Sequence, residues 1–280
     1  MLNWDLYLIT EERLSAGRKS LEVVKEAAAG GVDVIQLREK NLGLREKFQL
    51  GEQIKKICAR HGITFIVNDR LDLAQALDAD GVHLGQSDLP LRSARKILGP
   101  DKIIGLSAWQ NQEITAAEAD GADYLGVGAI FKTKSKQLNS DKNGIGLQRM
   151  AEIRQRTELP LIAIGGLNKE NASDVIQSGA DCISVITALT EAEIIEKETQ
   201  KFKEIIREEA DRCEMYYVVE RWLGGTLTNF STIKKSIRHL KKLEKMKREG
   251  YHENLSKKEK LSLERERIKL ADLHRGIKNM

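Results

Sequence analysis

Apolar residues in the first 212 positions gather into eight short, β-branched runs: WDLYLIT (4–10), VDVIQLR (32–38), ITFIVND (63–69), GVHLG (81–85), IIGLSA (103–108), DYLGVG (123–128), PLIAIG (160–165) and CISVIT (182–187). Between them the period changes. SLEVVKEAAAG, LREKFQLGEQIKKICARHG, EITAAEADG and NASDVIQSG repeat their apolar positions at helical spacing, several closing on the glycine expected just past a helix. Short buried strands that alternate with helices pair in parallel, because a parallel pair needs a crossover long enough to hold a helix. Eight such units in about 200 residues predict an α/β fold, a closed (β/α)8 TIM barrel. A doubly wound open sheet is the competing arrangement.

Past Cys213 this rhythm stops. YYVV (216–219) is strand-like, RWLGGTLTN reads as a glycine-containing turn, and two lysine-rich amphipathic helices follow. Ile233, Ile237, Leu240, Leu243 and Met246 form an apolar stripe at three- and four-residue steps, and Ser256 with Glu259 has the spacing of a capping box. The pattern predicts a barrel domain over 1–212 and a basic helical hairpin over 213–280.

Charge sharpens that division. Residues 213–280 hold 17 Lys and Arg against 9 Asp and Glu, so the net +4 of the chain splits into a tail of +8 and a body of −4. Such a block is either a solvated helical face or a polyanion-binding surface. The apolar run at the N-terminus is too short for a signal core, and no stretch approaches the ~20 apolar residues of a membrane span. A cytoplasmic protein without membrane association is expected, and a homo-oligomer is compatible with the sequence. Cys58, Cys182 and Cys213 are too far apart for a zinc knuckle or a redox pair.

In a (β/α)8 barrel the chemistry sits where strands end and βα loops begin. Every polar cluster of the body falls there. The second run ends in Gln36, Arg38 and Lys40, the third in Asn68-Asp69, and the fourth is followed by Asp88. The fifth ends at Ser107, the sixth runs into Thr133, Ser135 and Lys136, the seventh ends in Gly165-Gly166, and the eighth in Ile186-Thr187. Mg²⁺ takes one or two carboxylates and completes its shell with water and phosphate oxygens, so Asp69 and Asp88 suit a metal-bridged diphosphate. Glycine-rich turns after strands seven and eight are the usual phosphate seat of this fold. The alternative for either aspartate is an ordinary cap, on a helix starting near Leu71 or Pro90. His83, inside GVHLG, reads as a satisfied residue of the barrel wall. No His, Cys or Ser arrangement marks a covalent nucleophile, which leaves an Mg²⁺-dependent enzyme of phosphorylated small molecules that works by positioning and electrostatics.

QLREK, FIVNDRLDLA, ADGVHLGQSDLP, IGLSA, GADYLGVGAIFKTKSK, PLIAIGGLN and CISVITAL, in this order and spacing, resemble thiamine phosphate synthase over residues 1 to about 210. The resemblance implies condensation of 4-amino-2-methyl-5-(diphosphooxymethyl)pyrimidine with a thiazole phosphate, giving thiamine phosphate and pyrophosphate. It implies a dissociative course, in which diphosphate leaves before the thiazole nitrogen attacks. It assigns Gln36, Arg38, Lys40 and Asn68 to the pyrimidine diphosphate, and Ser107 and Lys136 to the leaving pyrophosphate. Asp69 and Asp88 would hold Mg²⁺, and Thr133 and Ser135 would meet the thiazole, whose phosphate would rest on amides around Gly166, Ile186 and Thr187. Arg38, Lys40, Ser107 and Lys136 are thus the implied catalytic set. The chain departs from the family pattern at Ala129, Lys132 and Ser135 in the sixth loop, at Thr187, and at Trp109, where His is common. The related thiazole tautomerase relies on that His and lacks the second metal carboxylate, so Asp88 and Trp109 both favour the synthase. Separately, VVERWLGGTLTNFSTIKKSIRHLKKLEKM and LSKKEKLSLERERIKL resemble the central helical segment of the second protein of the bacterial small ribosomal subunit, over 216–280. That part implies ribosome or RNA association.

Overall fold

The computed structural model describes residues 2–133 and 144–222, with 211–222 described as backbone. Eight parallel strands close into one barrel in sequence order: β1 (Leu6–Ile9), β2 (Val34–Leu37), β3 (Thr64–Asn68), β4 (Gly81–Leu84), β5 (Ile103–Ser107), β6 (Tyr124–Gly128), β7 (Leu161–Ile164) and β8 (Cys182–Val185). Each lies inside one of the eight apolar runs. Closure is made by β8 on β1, with Leu6 opposite Ile183 and Leu8 opposite Val185, which excludes the open sheet.

The crossovers are α1 (Ser20–Ala29), α2 (Leu44–His61), α3 (Leu71–Ala76), α4 (Leu91–Leu98), α5 (Asn111–Asp120), α6 (Gly146–Arg154) and α7 (Lys169–Gln177), and the short α8 (Thr187–Thr190) comes after β8. Gly62 and Gly121 end α2 and α5 with φ of 66° and 82°, a left-handed conformation that costs glycine nothing. α9 (Ile195–Trp222) follows β8 and α8.

Alternate strand residues point inward and outward. The inward set, including Tyr7, Ile9, Val34, Ile66, Tyr124, Ile162 and Cys182, packs with Trp4 into the interior. Outward residues such as Leu6, Leu8, Ile35 and Val67 are equally buried, beneath the helices. Full burial of each is worth about 1.5–3 kcal/mol.

The barrel's N-terminal rim is laced by aspartates that precede strands. Asp33 Oδ2 accepts from the amides of Asp5 and Leu6 at 2.9 Å each, Asp80 from Phe65 N at 2.7 Å, Asp123 from Ile104 N at 2.7 Å, and Asp181 from Leu161 N at 2.8 Å. Lys203 of α9 pairs with both Asp33 and Asp5 on the same rim.

One compact unit covers Met1–Ala210 and a second Asp211–Met280. α9 runs unbroken past the boundary expected at 212, and Tyr216–Val219, expected as strand-like, are helical. A β-branched pair sets too weak a preference to interrupt a helix that is already propagating. The hairpin expected over 213–280, with its stripe from Ile233 to Met246 and its capping box at Ser256, lies beyond the described residues apart from the α9 backbone. Among the described residues no helix is long and apolar enough to cross a membrane.

Candidate active site

A cavity of about 640 Å³ opens at the C-terminal ends of the strands, a volume suited to one or two small substrates. Gln36, Arg38 and Lys40 reach it from β2 and the residues just past it, Asn68 and Asp69 from the end of β3, and Asp88 from the loop after β4. Ser107 ends β5, Thr133 follows β6, and Gly166, Ile186 and Thr187 enter from the loops after β7 and β8. Every described residue assigned from the sequence therefore lines one cavity. Ser135 and Lys136 lie outside the described residues.

Consecutive strand residues point to opposite faces, so Asn68 and Asp69 could not both line the cavity in a regular strand. The chain turns left-handed at Asp69, with φ of 61°, and the Asp69 amide donates to His83 O at 2.9 Å. Aspartate is among the few residues that tolerate this conformation, and here it delivers both side chains to one face. Neither aspartate stands at an N-cap position. The caps are Arg70 for α3 and Pro90 for α4, neither with a side-chain cap bond, while Asp88 Oδ2 accepts from Gly85 N at 2.6 Å across its own loop.

Gly165 and Gly166 have φ of 99° and 65°, and a Cβ on either would collide with the loop after β6, at 2.4 Å from Ala129 Cβ or 2.8 Å from Phe131 Cβ. Only glycine lets these two loops meet, which keeps the backbone of the β7 loop at the cavity wall.

The electrostatic frame is built in layers. Arg38 is 8% exposed, and its Nη1 donates at 2.8 Å to Oε2 of Glu11, itself 2% exposed, just past β1. Glu39 turns away from the cavity and accepts from Ser20 Oγ and from Glu12 N at 2.9 Å. One buried carboxylate thus aims Arg38, and another fixes the loop after β1.

Several residues to which the sequence assigned no substrate or metal share the wall. Tyr7, Tyr124 and Ser184 lie deep in the cavity, and Trp109 stands at its side. Burial raises the Tyr7 and Tyr124 hydroxyls well above the usual phenol range, so both keep their protons. His83 is satisfied, as expected of a wall residue, through Tyr124 OH at 3.0 Å and Ser107 Oγ at 2.9 Å, yet it also lines the cavity. Ser184 Oγ and Trp109 Nε1 are buried side-chain atoms without a hydrogen-bond partner among the described residues, and both belong to cavity-lining residues. Strand alternation identifies Tyr7 and Ser184 as inward residues, but nothing in the sequence separates an inward residue that fills the barrel from one that faces a ligand.

Two carboxylates on neighbouring strand ends beside two cations make a hard, oxygen-rich donor set. Among the described residues no group of three or more His, Cys, Asp and Glu forms a closed metal cage. Two carboxylates match the one or two that Mg²⁺ takes from a protein when phosphate oxygens and water complete its shell.

Comparison with known proteins gives consistent matches. The family model described as thiamine monophosphate synthase matches residues 6–189. The thiamine-phosphate synthase of Moorella thermoacetica is 48% identical over 206 residues, covering 74% of this chain and 97% of that protein. That of Haloarcula marismortui is 47% identical over 194 residues, covering 69% and 92%. The solved thiamine phosphate pyrophosphorylase from Pyrococcus furiosus aligns with a TM-score of 0.68 at 40% identity, over 74% of this chain and 97% of its own. A 3-hexulose-6-phosphate synthase from Salmonella typhimurium, 18% identical with a TM-score of 0.55 over 73% of this chain and 99% of its own, shares the fold. The model for ribosomal protein S2 matches 167–280, so it begins inside the barrel, upstream of the 216–280 stretch whose motifs carry that resemblance.

Proposed function

Because the chain belongs to the thiamine monophosphate synthase family, we propose that its barrel condenses the aminopyrimidine methyl diphosphate with the thiazole phosphate, giving thiamine phosphate and pyrophosphate. The observation that carries this reading is the convergence on one cavity of all eleven described residues assigned to the two substrates and the metal.

Arg38, held by Glu11, and Lys40 bind the diphosphate and take up negative charge as it leaves, which is where a dissociative reaction needs stabilisation. Gln36 and Asn68 orient the pyrimidine. Asp69 and Asp88 would hold Mg²⁺, which when bound neutralises charge on the diphosphate oxygens. The methylene C–O bond breaks with its electron pair going to the diphosphate oxygen, and the electron-rich pyrimidine delocalises the resulting cation. The thiazole nitrogen lone pair then forms the new C–N bond. Thr133 and Ser135 meet the thiazole, backbone amides around Gly166, Ile186 and Thr187 seat its phosphate, and Ser107 and Lys136 stay with the departing pyrophosphate. Holding the two reactants in line contributes as much as any single charge.

The test is thiamine phosphate formation from the two precursors, with Mg²⁺ or with chelator, in the full chain and in a chain ending at Asp211. Activity in both that disappears with chelator is expected. Inactivity of both well-folded proteins would refute the transferase and leave a tautomerase. A second reading, favoured by the S2 match over 167–280, gives the basic tail a weak RNA affinity. It predicts binding that falls steeply between 50 and 200 mM salt, and binding unaffected by removal of 212–280 would refute it.

A further inference from the structure

Beneath the proposed substrate sites runs a chain of hydrogen bonds that no substrate contact explains. Gln36 Nε2 donates to Tyr7 OH at 2.7 Å, Tyr7 OH lies 3.1 Å from Tyr124 OH, His83 Nδ1 lies 3.0 Å from Tyr124 OH, and His83 Nε2 lies 2.9 Å from Ser107 Oγ. The chain crosses the barrel from β2 to β5 through two fully buried phenols. Strand glycines make room for its rings. A Cβ on Gly105 would fall 2.0 Å from Tyr124 Cζ, and one on Gly126 2.8 Å from His83 Cε1. The Tyr124 and His83 rings stack with centroids 5.5 Å apart and planes 22° apart.

Proton counting gives this chain a direction. Each phenol owns one proton, and burial keeps it there. Tyr7 accepts from the Gln36 amide, and Tyr124 OH is the other partner described for its hydroxyl, so the arrangement that leaves no phenol proton unpaired sends the Tyr7 proton to Tyr124. Tyr124 then has its proton left for His83 Nδ1. An imidazole that accepts at Nδ1 carries its proton at Nε2, and that proton points at Ser107 Oγ. Ser107 Oγ, accepting there, keeps its hydroxyl proton for the cavity.

We propose that Tyr7, Tyr124 and His83 are positioning residues that act as a directional relay: they fix His83 as the neutral Nε2–H tautomer and make Ser107 a hydrogen-bond donor toward the leaving diphosphate. The proposal rests on the placement of Ser107 beside that group in the synthase reading. The opposite direction either leaves a buried phenol proton unpaired or turns the Gln36 amide over, and Ser107 would then donate to His83 and offer only lone pairs to an anion. The relay therefore couples the amide at the pyrimidine end to the hydroxyl at the diphosphate end. A direct bond to His83 alone would leave Ser107 free to adopt either polarity.

The first measurement is the imidazole nitrogen spectrum of the uniformly ¹⁵N-labelled full chain near neutral pH, with the His83 signals identified by their loss in His83→Gln. The relay predicts a protonated Nε2 and an unprotonated Nδ1 accepting a hydrogen bond, and a protonated Nδ1 overturns it. This result does not depend on activity, so a chain that made no thiamine phosphate would refute the synthase reading and leave the tautomer to be decided by its own signals. The second is a double-mutant cycle on thiamine phosphate formation. Tyr124→Phe removes one hydroxyl and is expected to lower kcat about tenfold, less than loss of an anion donor itself. In a Ser107→Ala background the same change is expected to cost less than about twofold, because both variants act through one hydroxyl. No loss in Tyr124→Phe alone, or an undiminished tenfold loss in the Ser107→Ala background, overturns the relay. Should Tyr124→Phe fail to fold, Tyr7→Phe carries the same cycle.

Discussion

The two rims of the barrel use the same side chain for opposite ends. On the N-terminal rim Asp33, Asp80, Asp123 and Asp181 each accept a neighbouring strand's amide at 2.7 to 2.9 Å, so their oxygens are committed to the fold. On the C-terminal rim Asp69 and Asp88 line the cavity, and neither occupies the N-cap position of the helix that follows it. A carboxylate that stitches strands is a structural part. One at the wall of the cavity faces the site, and the left-handed turn at Asp69 brings its side chain there beside Asn68.

The sharpest way to break this comparison is to neutralise one carboxylate on each rim. Asp69→Asn and Asp88→Asn are expected to lower kcat about 100- to 1,000-fold, in line with loss of one element of a charge-stabilising site, with the thermal midpoint within about 2 °C of the parent. Steady-state kinetics and calorimetry on the same samples check both halves. A large fall in stability with kcat retained would make Asp69 and Asp88 structural, like their counterparts below.

The lower rim gives the next largest effect, in the other observable. Asp33 accepts two amides and pairs with Lys203, which is 7% exposed overall, so Asp33→Asn leaves a largely buried ammonium short of a partner. A loss of about 2 kcal/mol is expected, lowering the midpoint by about 4–8 °C, with kcat and KM of the folded protein unchanged. Kinetics altered severalfold at a temperature where the variant is folded would mean that the two rims are not independent.

How far the sequence alone reached follows the same division. The eight apolar runs all contain strands, because period and length are local properties that burial reads directly. Barrel topology followed from the alternation, and position at a strand end then singled out Asp69, Asp88 and Lys40. Local reasoning failed in two kinds of place. YYVV looked extended but is helical, because the propagating helix α9 outweighs the preference of two valines. Strand position gives Tyr7 and Tyr124 no role, and their hydrogen bonds, like those of His83, join residues 24 to 117 positions apart, a pairing that only barrel closure creates. The Asp69 turn belongs with them, since a left-handed residue inside FIVNDR has no glycine to announce it.

Glu11 supplies the smallest effect and the most informative one, because it sits on the upper rim and behaves like a residue of the lower. It is 2% exposed and holds Arg38 at 2.8 Å, so its charge is spent on another side chain. If the distinction between the rims concerned location, Glu11→Gln would act like Asp69→Asn. If it concerns commitment, Glu11→Gln keeps an acceptor for Arg38 and loses only the counter-charge, which loosens the guanidinium without removing it. The expected outcome is KM for the pyrimidine diphosphate raised about fivefold, kcat within about threefold of the parent, and a stability loss of about 1 kcal/mol. The thiazole phosphate KM, read at saturating pyrimidine diphosphate, stays put, since Arg38 is assigned to the other substrate. A hundredfold fall in kcat would place Glu11 among the reacting groups and return the argument to geography.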